Sequence, residues 1–279
     1  LDDYITRMRE EQTSIYYITG DNENALQESS FLEGLTKKGF EVIYMTEPID
    51  EYIMQTMKEY CGKQFVSITK EGFTMPETLQ EQEKFTQNKI DYEDSCKYIK
   101  EILGDRCEKV SISNRLRNTP CCVVTSQYGW SANMERIMRS QAMGNTSQMN
   151  YMVGKKTFEI NPNHPIIIEL RSKLGVEAEA QHCVNMVHML YDTALIDGGF
   201  SLENVSHFSK RLYSIIGMGM GVSESIEEEE IDNVSNVNKE SSTESNIKTQ
   251  QDTMENTTET KNIESVVNEN TEEEMEQVD

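Results

Sequence analysis

The residues able to do chemistry are few. Six cysteines occur, Cys61, Cys96, Cys107, Cys121, Cys122 and Cys183, with four histidines, His164, His182, His188 and His207. No Cys-x-x-Cys pair is present, so the spacing of a zinc site is lacking. His182 and His188 point to different faces of a helix and do not converge on a metal. No Ser-His-Asp or Cys-His pairing stands out. "TGDNEN" at 19–24 joins a strand to a helix, but with one glycine and no lysine it reads as a turn and helix cap, not a phosphate loop. Cys121 and Cys122 are adjacent in an apolar run. In a strand they face opposite ways, one expected in the core and the other accessible.

Two other stretches suit binding better than catalysis. Trp130, Met134 and Met138 fall at i, i+4 and i+8, Met143 follows, and Arg136 and Arg139 lie between the methionines. On a helix they form a narrow apolar strip. Such a strip packs a core in most proteins; the other reading is an exposed adaptable surface, which Met and Trp suit. The chain also ends in "EMEQVD", with Met275 and Val278 set among carboxylates. A tail that only solubilises needs neither, so the terminus is either a chance composition or a ligand for another protein.

The elements that must position these residues follow from periodicity. "SIYYIT", "FEVIYM" and "KQFVSIT" read as strands, separated by a loosely helical stretch ending at Gly39 and by a helix opened by Pro48. This β-α-β-α-β order predicts a small parallel sheet with right-handed crossovers. A polar stretch over 71–94 marks a domain boundary running into a helix. Tyr92, Cys96, Ile99 and Leu103 line one helix face that stops at Gly104. "EKVSISNRL", "CCVVTS" and "KTFEINP" read as further strands, and Pro165 opens a helix capped by Asn163 or His164. Two longer helices close the folded part. Val184, Val187, Tyr191 and Ala194 stripe the first. Val205, Phe208, Leu212 and Ile215 stripe the second, with Ser201 as its expected cap. Joined by "GGF" they predict an αα-hairpin, and "GMGMG" at 217–221 follows as a chain stop.

Charge divides the chain into two kinds of polymer. The formal net charge is −23, which excludes most nucleic-acid binding because the phosphate backbone would be repelled. From Ser223 onward 18 acidic residues stand against three lysines, leaving −8 for the first 222 residues. That last stretch has no Phe, Trp, Tyr, Pro, Gly or Cys, and cannot offset about 1–2 kcal/mol per residue of lost backbone entropy. It is expected to be disordered. No apolar run approaches the roughly 20 residues of a membrane span. A chain of 279 residues builds its own core, so the cysteines read as reduced rather than paired. The opening "LDDYITRM" begins on Leu1 and reads as the middle of a longer protein.

The motifs "QYGWSANMERIMRSQAMG", "KKTFEINPNHPII" and "YYITGD…FLEGLTKKGFEVIYMTEPIDEY" resemble the cytosolic heat shock protein 90 family, as does the "MEQVD" ending. The resemblance covers residues 1 to about 222 and returns at the last five. It implies an ATP-driven, dimeric chaperone. Residues 1–75 then correspond to the α/β end of a middle domain, 76–222 to a linker helix and C-terminal dimerisation domain, and 223–279 to a disordered acidic tail. The fold class expected is mixed, a βαβαβ unit followed by an α+β domain ending in the αα-hairpin. The ATP-binding domain is expected upstream, so ATP and Mg serve the full-length protein, with no cofactor, metal or catalytic residue in this stretch.

The resemblance also assigns surfaces. Trp130, Met134 and Met138 become a client-contact strip, with Trp130 and Met134 partly exposed. The hairpin becomes a homodimer interface through Phe208, Leu212, Ile215 and Ile216, with Val187, Leu190 and Tyr191 opposite. Met275, Glu276, Gln277, Val278 and Asp279 become the docking peptide for tetratricopeptide-repeat co-chaperones, where Gln277 stands in place of the family's Glu. The same ending implies a cytoplasmic protein without nucleic-acid or membrane partners. Two other readings stay open beside this one: an enzyme using the α/β unit, and a non-enzymatic acidic scaffold.

Overall fold

The computed structural model describes residues 1–141, 156–176 and 180–222. They all belong to one compact unit, Leu1–Ile226. A short helix α1 (Asp2–Arg7) precedes the first sheet. The sheet contains β1 (Ile15–Thr19), β2 (Ile43–Met45), β3 (Glu59–Tyr60) and β4 (Lys63–Ser67), in the order β2-β1-β4-β3. β1 pairs parallel with both β2 and β4, as the alternation of strands and helices predicts. The hairpin partner β3 was not anticipated. It is two residues long and pairs antiparallel with β4 across a turn at Cys61 and Gly62, both at positive φ.

The connecting helices are local consequences of the sequence. α2 (Glu23–Gln27) is capped by Asn22, whose Oδ1 accepts from the Ala25 amide at 2.9 Å, so "TGDNEN" is a turn and cap. α3 (Glu33–Lys38) stops at Gly39, φ +71°, a left-handed residue that closes the helix C-terminus. α4 (Pro48–Thr56) opens with proline and a capping box between Glu47 and Asp50.

An extended stretch then leads into α5 (Leu79–Asp91), capped reciprocally by Thr78 and Glu81, and into α6 (Glu93–Leu103). Tyr92, Ile99 and Leu103 are buried and Cys96 half-buried, on the face the spacing indicates. The second sheet has the order β5-β7-β6, from β5 (Lys109–Ile112), β6 (Cys121–Thr125) and β7 (Lys156–Ile160). β7 is central, parallel to β5 and antiparallel to β6. All five residues of β6 are buried because both faces of this strand are covered. α7 (Ala132–Gln141) and α8 (Pro165–Lys173) follow β6 and β7, and α9 (Ala180–Asp197) and α10 (Val205–Gly219) end the described chain. His164 caps α8, its Nδ1 accepting from the Ile166 amide. Asn204, not Ser201, caps α10, so this helix starts three residues later than expected.

Two apolar cores flank β6. Cys121 and Val123 face one core with Phe158, Ile99, Leu103, Val187 and Tyr191. Cys122 and Val124 face the other with Tyr16, Phe31, Leu35, Ile68, Phe73 and Leu116. The second sheet thus supplies part of the core beneath the first. The adjacent cysteines do face opposite ways, but neither is accessible. Burial raises the Cys121 thiol to about 12 and the Cys122 thiol well above its ordinary value. A β6 covered on both sides leaves no exposed thiol.

Arg115 joins the two sheets. Its side chain is 2% exposed. Nε and Nη2 donate to the two carboxylate oxygens of Glu159 on β7, both at 3.0 Å, while Nη1 and Nη2 donate to the carbonyls of Ile68 (2.5 Å) and Lys70 (3.1 Å). The guanidinium also lies 5.2 Å from the centre of the Phe73 ring. Removing one partner strands a buried charge, so Arg115→Met is expected to cost about 3–5 kcal/mol. The double change Arg115→Met with Glu159→Met is expected to cost less than the single one, as urea denaturation of both variants will measure.

Candidate protein-interaction site

The turn Ser126–Ser131 projects from the end of β6. The Gly129 amide donates to the Ser126 carbonyl and hydroxyl, both at 3.1 Å, and a Cβ on Gly129 would meet Ser126 Oγ at 2.9 Å. Tyr128 at the tip is 94% exposed. Trp130 is half-buried and precedes α7 rather than lying on it. Ser131 starts the helix, its hydroxyl accepting from the Met134 amide at 3.0 Å and donating to Glu51 on α4 at 2.5 Å.

The helix then turns Met134 inward. Met134 is 5% exposed and Ile137 is buried with it, while Met138 is half-buried. The expectation of a partly exposed Met134 is therefore corrected. Trp130 sits in the turn, so the i, i+4, i+8 register does not hold across the helix start. Arg136 pairs with Asp21, and Glu135, buried, holds Arg139 at 2.5 Å and Lys156 at 3.4 Å. Met143 lies outside the described residues.

The C-terminal hairpin divides into an inner and an outer helix. On α9, Val187 and Tyr191 are each 1% exposed. Tyr191 packs edge-on against Phe158, ring centres 5.3 Å apart, and donates its hydroxyl to the Arg106 carbonyl at 2.6 Å. Leu190 is half-buried against the same core. Val187 and Tyr191 are thus committed to the chain's own interior, a correction to their expected place opposite a partner. On α10 no residue is buried. Phe208 and Ile215 are half-buried, while Leu212 and Ile216 are 37% and 47% exposed. An amphipathic helix with its apolar face half in water is incompletely packed by the described residues.

A polar cluster holds the two helices in register. Asp192, 3% exposed, pairs with Arg106 and with Arg211 of α10 at 3.4 Å. Arg106 Nη1 donates to His188 Nδ1 at 3.0 Å. Burial, helped by Arg211 and Arg106, lowers the His188 pKa to about 4, and Asp192 opposes this only in part. His188 is thus a neutral acceptor for Arg106, with the Arg211 guanidinium also acting on it. Nothing in the residue types identified Arg106, Asp192 and Arg211 as a cluster, because they come from three separate elements. The terminal residues Met275, Glu276, Gln277, Val278 and Asp279 lie outside the described residues.

The described scaffold carries an exposed aromatic turn and a last helix without a buried side chain. A profile of the family described as Hsp90 protein matches residues 1–249. The chain is 48% identical over 221 residues to the human heat shock protein HSP 90-beta-3, covering 79% of this chain and 37% of that protein. It is 45% identical over 224 residues to heat shock protein 83 of Leishmania donovani, covering 80% and 50%. The chain belongs to the Hsp90 family. It spans half the length or less of these relatives.

The relatives also correct the cytoplasmic expectation. They include an Arabidopsis thaliana endoplasmin homolog, 42% identical over 83% of this chain and 28% of that protein. Arabidopsis heat shock proteins named chloroplastic and mitochondrial follow at 40% and 37% identity. Similarity at this level runs through several compartments, so it assigns none of them to this chain.

The polar cluster gives a pH dependence. The folded state holds His188 neutral, so its stabilising effect is complete above the ordinary value of 6.5, is lost as pH falls from there, and levels off below about 4. His188→Gln keeps an acceptor for Arg106 without titrating. Urea midpoints measured between pH 7 and pH 4 are expected to fall less steeply in this variant than in the parent chain.

Proposed function

We propose that the chain is the dimerising, client-holding and co-chaperone-docking part of an ATP-driven chaperone of the Hsp90 family, with ATP and Mg handled elsewhere in the full-length protein. The observation that carries this reading is α10, a 15-residue helix without one buried side chain. Its apolar face needs a partner, and in a homodimer the same face of a second copy meets it across a two-fold axis. Val205, Leu212 and Ile216 form the exposed part of that face, with Phe208 and Ile215 beside it. Ile196 at the end of α9 is also exposed and replaces Val187 and Tyr191 as the neighbouring contribution. Client proteins are bound at the turn carrying Tyr128 and Trp130. A Trp side chain can bury about 150–250 Å² on contact, worth several kcal/mol at about 25 cal/mol per Å².

Light scattering tests the dimer. The parent chain is expected at twice its 32.1 kDa mass. Each apolar side chain buried at the interface is worth about 1.5–3 kcal/mol, so Leu212→Asp with Ile216→Asp is expected to weaken dimerisation at least about 100-fold. A parent chain that stays monomeric at high concentration contradicts the reading and favours the acidic scaffold.

The terminal peptide is proposed to bind tetratricopeptide-repeat domains through its α-carboxylate and the Asp279 side chain, with Met275 and Val278 in apolar pockets. Hydrogen bonds to charged groups contribute about 1.5–3 kcal/mol each. A fluorescent peptide of the last dozen residues is expected to bind such a domain as the free acid. Amidation is expected to weaken it at least about tenfold. Gln277→Glu is expected to tighten it. Loss of binding by all three forms would sink the docking assignment.

A further inference from the structure

The turn that presents Trp130 is gripped on both sides by residues of the first sheet and its helices. Lys70, just past β4, sends its ammonium to the carbonyls of Gln127 and Gly129, each at 2.8 Å. The backbone beside it is also joined. The Glu71 amide donates to the Thr125 carbonyl at 2.8 Å, and the Gln127 side-chain amide donates to the Glu71 carbonyl at 3.0 Å. On the other side of Trp130, the Ser131 hydroxyl is held by Glu51 of α4 at 2.5 Å. Lys70 and Glu51 thus bracket Trp130 with a cation and an anion from one part of the fold.

We infer that Lys70, seconded by Glu51, is a positioning residue for client binding, fixing the turn so that Trp130 is presented in one orientation. This rests on the reading of Trp130 as a client contact. The carbonyls of an exposed turn are satisfied by water without any lysine, so a cation is not needed to pair them. What the ammonium adds is a fixed location, since its two bonds to Gln127 and Gly129 fall within the three residues just before Trp130 and are charge-assisted. Burying that ammonium is unfavourable, and burial lowers its pKa despite the opposing field of Glu51. A rigid aromatic loses less conformational freedom when a client binds than one on a loose turn. The Lys70 carbonyl also accepts from Arg115 at 3.1 Å, so the clamp is anchored to the pair that joins the sheets.

Trp130 is the only tryptophan among the 279 residues, which makes its fluorescence a direct report on the turn. The test uses the whole chain, with Lys70→Met, Lys70→Arg, Glu51→Gln and Trp130→Ala. Acrylamide quenching, far-UV circular dichroism and binding of a labelled, reduced and unfolded lactalbumin are the readouts. Lys70→Met is expected to raise the quenching constant about twofold with the dichroism unchanged. It is expected to weaken client binding in the same direction as Trp130→Ala. Lys70→Arg is expected to restore both properties. Should Lys70→Met not fold, Glu51→Gln is expected to loosen Trp130 from the other side. Unchanged quenching in a folded Lys70→Met, or in Glu51→Gln when that variant stands in for it, overturns the clamp. Raised quenching with client binding unaltered in both Lys70→Met and Trp130→Ala overturns the client assignment and the functional half of the inference with it.

Discussion

The buried pair of Arg115 and Glu159 is the interaction on which the arrangement of this molecule depends. A guanidinium has five donors in a rigid plane, and here four bonds are directed at two different sheets. Two reach the central strand of the second sheet and two reach backbone carbonyls at the end of the first. A lysine could supply the charge but not this geometry. The neighbouring carboxylate of Glu33 performs a similar task at lower cost. It accepts from the amides of Arg117, Asn118 and Thr119 and from the Thr119 hydroxyl. Burial pushes its pKa up, but those hydrogen bonds outweigh burial and hold it below the usual range. Arg115 ties the loop between β5 and β6 to the end of the first sheet and Glu33 ties it to α3, so the strand leading to Trp130 inherits its position from there.

The C-terminal hairpin is built on the opposite principle. α9 is driven into the core by Cys183, Val187, Tyr191, Ala194 and Leu195. α10 is fastened to it by Arg211 and Asp192 while its apolar residues stay half in water. A buried ionic cluster contributes little net stability but fixes register, and fixed register lets an exposed apolar face meet a partner in one way. Buried interior and exposed apolar exterior together fit the proposed homodimer.

Much of the fold was legible in the sequence. Strand–helix alternation gave the parallel pairing of β1 with β2 and β4, and the spacing from Tyr92 to Leu103 gave a helix with its buried face. The unbroken apolar run at Cys121 gave a strand, but one of its two cysteines was expected to be accessible and both are buried. The failures have a shared cause. Periodicity identifies which residues lie on one face, not what covers that face. Val187 and Tyr191 share a stripe that suits a partner or an interior equally, and Phe158 and Cys107, distant in sequence, decide for the interior. Met134 fell the same way once Ser131, held by Glu51, set the helix start after Trp130. Arg115 and Lys70 gave no local signal, since each is an ordinary basic residue in a polar stretch until the chain closes around it.

Equilibrium urea unfolding, followed in one sample by Trp130 emission and by far-UV circular dichroism, tests most directly whether the two sheets and the Trp130 turn act as one unit. Protein concentration is held constant, because association shifts the midpoint. The two signals are expected to share a midpoint, since Trp130 is placed by Lys70 and Glu51 and the sheets are joined through Arg115. A Trp130 transition completed at lower urea, with most of the helix and strand signal intact, would contradict it.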